Sequence, residues 1–144
     1  MSHSARYDRG LAKFKEMYGD LAKTFLASLE DIAPDLGTYV MEFAFGDVHC
    51  RPGLSLRSRE LATVAALTAL GTAGPQLRAH IDGALNVDCT EQEVVEVILQ
   101  MALYAGFPAA LNAMQVAREV VQARAGKKFS RKKRKVHSKK QSGS

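Results

Sequence analysis

Apolar residues recur at three- and four-residue spacing along most of the chain, the mark of helices that bury one face. Alternating strand patterns are nearly absent. Leu11, Phe14 and Tyr18, with Lys13, Lys15 and Glu16 between them, predict an amphipathic first helix over residues 7–18. Asp20 is placed to cap a second helix through Leu21, Phe25 and Leu29, ending near Ala33. Pro34 suits the first position of a third, for which Gly46 is the expected stop after Phe45. Ser55 is the expected cap of a fourth helix reaching Leu70, and Pro75 opens a fifth reaching Val87. Thr90-Glu-Gln-Glu93 has the form of a capping box for a sixth helix ending at Tyr104. Pro108 opens a seventh, expected to fade near Ala125-Gly126. The fold class is therefore all-α, with six or seven helices.

Two of these helices, around Leu61–Leu70 and Val94–Ala105, are apolar on nearly every face. A helix on the surface of a small domain should keep one polar face. About 126 residues do not easily hide two such helices, so the pattern predicts a homo-oligomer that covers the second face. A wholly buried pair in a monomer is the alternative. The run Val97 to Ala117 carries no charge over 21 residues and has the length of a membrane span. Gln100, Asn112 and Gln115 interrupt it, and Gly106-Phe107-Pro108 splits it into two shorter helices, so no membrane span is expected.

Charge divides the chain of 144 residues in two. Residues 1–126 hold eleven basic and fifteen acidic side chains, a net of −4, whereas residues 127–144 hold nine basic and no acidic ones. The overall +5 therefore describes the tail and not the folded part. Residues 127–144 have too little apolar surface to fold and too much like charge to collapse, which predicts a disordered basic extension after a helical domain over 1–126. Its readings are a plain solubilising extension or attachment to nucleic acid or another anionic surface. In a nucleated host, Arg131–Val136 also resembles a short nuclear import signal. Two cysteines are too few for a disulfide framework, and the start Met1-Ser-His-Ser-Ala-Arg lacks an apolar signal core. A cytoplasmic setting is the expectation.

Candidate chemistry centres on Glu60 and His80, polar groups in an otherwise oily helical hairpin. An imidazole titrates near neutrality and can give and take a proton. Without a family resemblance, His80 reads first as a hydrogen-bonded, half-buried structural histidine, and Glu60 as a carboxylate favouring a helix start or pairing with Arg57 or Arg59. Arg51 and Arg78, together with His49, are the candidate substrate-binding groups, since arginine holds carboxylates through a planar two-pronged contact. Cys50, between His49 and Arg51, is the candidate thiol of a redox alternative. Cys89 reads as a packing residue. No spacing of His, Cys and carboxylates suggests a metal site, and none suggests a cofactor.

The residues Phe45-Gly-Asp, Arg51-Pro-Gly-Leu, Arg59-Glu-Leu, Ala66-Leu-Thr-Ala-Leu-Gly, Leu77, His80 and Gly83-Ala-Leu-Asn stand at characteristic intervals. With Glu93, Glu96, Leu99-Gln and Tyr104-Ala-Gly-Phe-Pro-Ala-Ala, they resemble the carboxymuconolactone decarboxylase family, over about Tyr7 to Ala123. That family also contains thiol peroxidases similar to alkylhydroperoxidase D. The resemblance implies the helical fold of that superfamily, assembly into trimers or hexamers, and cofactor-free decarboxylation of a small carboxylated lactone or related acid. It also implies that His80 is the proton-relay histidine and Glu60 the acid that orients it. In the peroxidase branch a CxxC pair precedes that histidine, its second cysteine four residues before it. Here Ala73 and Gln76 take those places, which leaves thiol-disulfide cycling without its attacking and resolving groups.

Overall fold

The computed structural model describes the backbone of residues 3–141 and the side chains of residues 3–135. Among them are seven α-helices and one π-helical stretch, with no strand. The helices are α1 (Ala5–Tyr18), α2 (Leu21–Ala27), α3 (Pro34–Tyr39), α4 (Leu56–Leu70), α5 (Gly74–Asn86), α6 (Glu91–Ala105) and α7 (Phe107–Gln141). The α3 helix runs on through Val40–His49 as the wider π coil.

Several caps follow directly from the residues present. Ser55 Oγ accepts from Ser58 N at the start of α4, and Gly71 ends that helix at φ +73°, where a side chain would be strained. Thr90 and Glu93 complete the reciprocal capping box of α6. The uncharged stretch 97–117 is broken between Ala105 and Phe107, and no helix among the described residues is long and apolar enough to cross a membrane.

Three boundaries differ from the pattern. Asp20 occupies the N-cap of α2 without a side-chain hydrogen bond, and that helix ends at Ala27, with 28–32 in turns. Gly46 does not stop the third helix; it is buried inside the π-helical stretch. Its real constraint is a backbone crossing. A Cβ on Gly46 would collide with the Arg6 carbonyl, and one on Gly10 with the Met41 carbonyl, so two glycines let α1 and the π stretch lie backbone to backbone. Nor does α7 fade at Ala125-Gly126: its backbone stays helical to Gln141, while residues 125–135 are exposed. Residues 142–144 of the basic tail lie outside the described residues.

Two apolar clusters fill the interior. The first joins α1 to the π stretch through Tyr7, Phe14, Met17, Tyr18, Met41 and Phe45. The second joins α4 to α7 through residues such as Val64, Ile81, Val94, Ile98, Ala113 and Val120. Asn86 on α5 fastens the seam between them by donating from Nδ2 to the Met17 carbonyl at 2.9 Å. Arg124 on α7 holds Asn86 Oδ1 at 3.0 Å and Asp82 at 2.6 Å. The start of α4 is tied down separately, because Arg57 pairs with Glu93 and donates to the Asp88 carbonyl.

Apolar surface remains uncovered in two stripes. Leu99, Leu103, Tyr104, Phe107 and Leu111 follow the end of α6 and the start of α7, and Ile32, Leu36, Tyr39 and Phe43 follow α3 into the π stretch.

Gly83 decides how closely α1 can approach α5. A Cβ there would overlap the Tyr18 ring and come within 3.1 Å of Glu60 Oε2. On helix propensity alone, Gly83→Ala should stabilise by about 1 kcal/mol. The collision should reverse the sign, giving a loss of ~1–3 kcal/mol in denaturant unfolding. A gain in stability would contradict this account of the seam.

Candidate active site

Four side chains from four elements converge at that seam. Glu60, on the second turn of α4, has no exposed surface. Tyr18, the last residue of α1, directs its hydroxyl to Glu60 Oε1 at 3.1 Å and lies 2.9 Å from His80 Nδ1. His80, midway along α5, places Nδ1 3.2 Å from Glu60 Oε2. His49, at the end of the π stretch, stands with Nε2 3.9 Å from Glu60 Oε1, beyond hydrogen-bond reach but close enough for charge to act. The contact between Glu60 and His80 is therefore made within one chain. Twenty sequence positions separate them, and their long side chains reach across the antiparallel turn from α4 to α5.

The hydrogen-bond pattern fixes the proton positions. A carboxylate only accepts, so the Tyr18 hydroxyl donates to Glu60. Its oxygen and the Glu60 carboxylate are then acceptors facing His80 Nδ1, which makes Nδ1 the protonated nitrogen. His80 Nε2 is left without a partner among the described residues, and 23% of the side chain stays exposed. This is an imidazole held at one nitrogen and offered at the other.

Electrostatics support the same assignment. Burial alone would raise the Glu60 carboxyl, but the imidazoles of His49 and His80 and the Tyr18 hydroxyl outweigh it and hold Glu60 below the usual carboxylate range. The Tyr18 phenol is pushed far above its ordinary value, first by burial and then by the Glu60 charge, so it remains a donor. Aromatic rings form one wall. Phe45 stacks on His49 at 4.8 Å, and Tyr18 meets both Phe45 and His80 edge-on.

The other sequence candidates are not brought to this centre. Glu60 pairs with neither Arg57, which is engaged with Glu93, nor Arg59, which donates to the Arg51 carbonyl at 3.1 Å. Arg78 is exposed and ion-paired with Glu119 on α7. Arg51 is exposed in the turn two residues after His49, and its guanidinium has no ion-pair partner among the described residues. Cys50 is half-buried in the same turn. Cys89 is buried, its Sγ lies 3.6 Å from the Arg57 carbonyl, and burial raises its thiol pKa. No group of three or more His, Cys, Asp or Glu among the described residues is arranged to hold a metal ion. Tyr18 is the member that the sequence pattern missed, because a tyrosine on an apolar stripe reads as packing. Its polar tip, which needs a partner once buried, was the available signal.

Comparison with known proteins shows the family to which the chain belongs. The carboxymuconolactone decarboxylase family model matches residues 34–119, which include His49, Glu60 and His80. The chain is 39% identical over 121 residues to a 4-carboxymuconolactone decarboxylase of Acinetobacter baylyi, spanning 83% of this chain and 90% of that protein. It is 29% identical over 120 residues to a nitrosuccinic acid decarboxylase of Metarhizium robertsii, spanning 83% of each. The chain belongs to the carboxymuconolactone decarboxylase family.

Proposed function

We propose that the protein decarboxylates a small carboxylated lactone or a related acid without a cofactor, using His80 as proton donor and Glu60 to orient it. The observation carrying this reading is an imidazole whose Nδ1 is engaged by a buried carboxylate and a tyrosine while Nε2 stays available. Loss of CO₂ leaves the bonding electron pair on the substrate, spread into the lactone as a dienolate. The protonated His80 ring delivers its Nε2 proton to a carbon of that dienolate, which restores a neutral lactone. It becomes the neutral Nδ1–H form that Glu60 and Tyr18 already hold, then takes a proton from solvent for the next cycle. Placing a preorganised acid where charge develops lowers the barrier without reorganisation cost.

Relatives named for 4-carboxymuconolactone and for nitrosuccinic acid support decarboxylation of a small acid as the reaction class. Arg51 is the first candidate to hold a substrate carboxylate, since its guanidinium is exposed in the turn that follows His49. Arg78 is the weaker candidate, because it would have to leave Glu119.

The working form in this reading is a homo-oligomer, a trimer or hexamer, with the exposed stripes on α6–α7 and on α3 covered by neighbouring copies. Burying a large apolar side chain contributes roughly 1.5–3 kcal/mol. The five exposed residues from Leu99 to Leu111 would thus offset the lower part of an association cost of about 4–15 kcal/mol. Light scattering at micromolar concentration should find an oligomer; a stable folded monomer would remove this part of the proposal.

His80→Gln should keep the fold and lower turnover roughly 100-fold or more, the usual worth of a positioned general acid. Glu60→Gln should cost less, because an amide oxygen still accepts one hydrogen bond from the ring. Both are measured on a lactone acid found by screening the purified protein. Full turnover in a folded His80→Gln variant would leave His80 as a structural histidine.

A further inference from the structure

His49 has no role in the proton transfer proposed above, yet it occupies a chemically constrained position. Its Nδ1 lies 2.8 Å from the Ala44 carbonyl oxygen. A carbonyl can only accept, so Nδ1 carries a proton. The other nitrogen, Nε2, is buried without a hydrogen-bond partner and faces Glu60 Oε1 at 3.9 Å. In the neutral ring that arrangement would set a bare lone pair against a buried carboxylate. A second proton on Nε2 turns the same contact into an attraction between opposite charges. The ring cannot easily turn away, because Phe45 stacks on it at 4.8 Å with the planes 22° apart.

We propose that His49 is a positioning residue which, as an imidazolium anchored on Ala44, keeps Glu60 a carboxylate by facing its Oε1. The remaining groups around Glu60 explain why a second cation is useful. Tyr18 on α1 supplies a neutral donor, and Cys89 in the turn after α5 adds no positive charge. On its own helix, Arg57 is spent on Glu93, and Arg59 donates to a backbone carbonyl. His80 is the other cation, and in the proposed cycle it gives its charge away. At that moment His49 is the one cation left facing Glu60 among the described residues, beside the neutral donors Tyr18 and His80 Nδ1, so Glu60 stays ionised, continues to accept from His80 Nδ1, and the ring keeps its orientation. For its catalytic consequence this inference rests on the proposed function; for the charge state of Glu60 it does not.

The test has two readouts, on the full chain and on the His49→Phe and His49→Gln variants. His49→Phe keeps the stack on Phe45, and His49→Gln keeps a polar group; neither can carry charge. The first readout is ¹³C NMR of protein labelled at the glutamate side-chain carboxyl, with the Glu60 signal identified by its absence in Glu60→Gln. The Glu60 midpoint should move up in both variants, by about one pH unit or more, the usual effect of an opposite charge at this range. If His49→Phe does not fold, His49→Gln decides the result. The second readout is the pH profile of turnover on the screened lactone acid. Its acid limb should move upward with the Glu60 midpoint, and kcat should fall roughly tenfold while KM changes little. A Glu60 midpoint and acid limb unchanged from the wild type would overturn the proposal. A shifted Glu60 midpoint in a protein that decarboxylates no acid would instead refute the proposed function and leave the role of His49 intact.

Discussion

The seam between the two apolar clusters is organised around the burial of one carboxylate. Glu60 has no exposed surface, and it is held in its charged form. An ion taken from water into a protein interior costs several kcal/mol unless donors and opposite charge replace its hydration. No donor adjacent in sequence does this for Glu60. Its partners come from the end of α1, the end of the π stretch and the middle of α5, so the site exists only when the two apolar clusters close on each other. Gly83 is part of the same constraint, because it removes a Cβ where that closure brings the Tyr18 ring and Glu60 against α5.

This dependence links stability to chemistry. The chain of contacts from Arg124 through Asn86 to the Met17 carbonyl fixes the end of α1, and with it the Tyr18 hydroxyl. The pair of Arg57 with Glu93 anchors the first turn of α4 one turn before Glu60. A hydroxyl, an imidazole and a carboxylate arranged so that each proton has one favourable position make a rigid platform, from which one ring nitrogen faces outward. In the proposed reading such a platform delivers a proton to a fixed point, while Cys89, buried with a raised pKa, serves as packing.

The local punctuation of the chain was legible because it rests on interactions over three or four residues. Ser55 with Ser58, and Thr90 with Glu93, are hydrogen-bonded where the pattern places them. Gly46 was misread for an instructive reason. A glycine after an apolar run usually ends a helix, but here it serves a crossing with a helix about forty residues earlier, which no local window contains. Tyr18 was hidden in the same way: its periodicity is that of packing, and its function is set by partners 42 and 62 positions away. Glu60 and His80 stood out as polar groups in an oily hairpin, yet periodicity did not show that they touch; family resemblance supplied that expectation. Past Ala125 the side chains are exposed through residue 135, as the scarcity of apolar residues and the like charge there predict.

The central claim, that His80 delivered from the Glu60 platform protonates the decarboxylated substrate, is tested most directly by turnover in D₂O. A carboxylated lactone whose reacting carbon ends as a methylene group should release CO₂ and gain one deuterium at that carbon, on one face only, because the donor is fixed. Deuterium spread equally over both faces would mean that solvent, and not His80, completes the reaction.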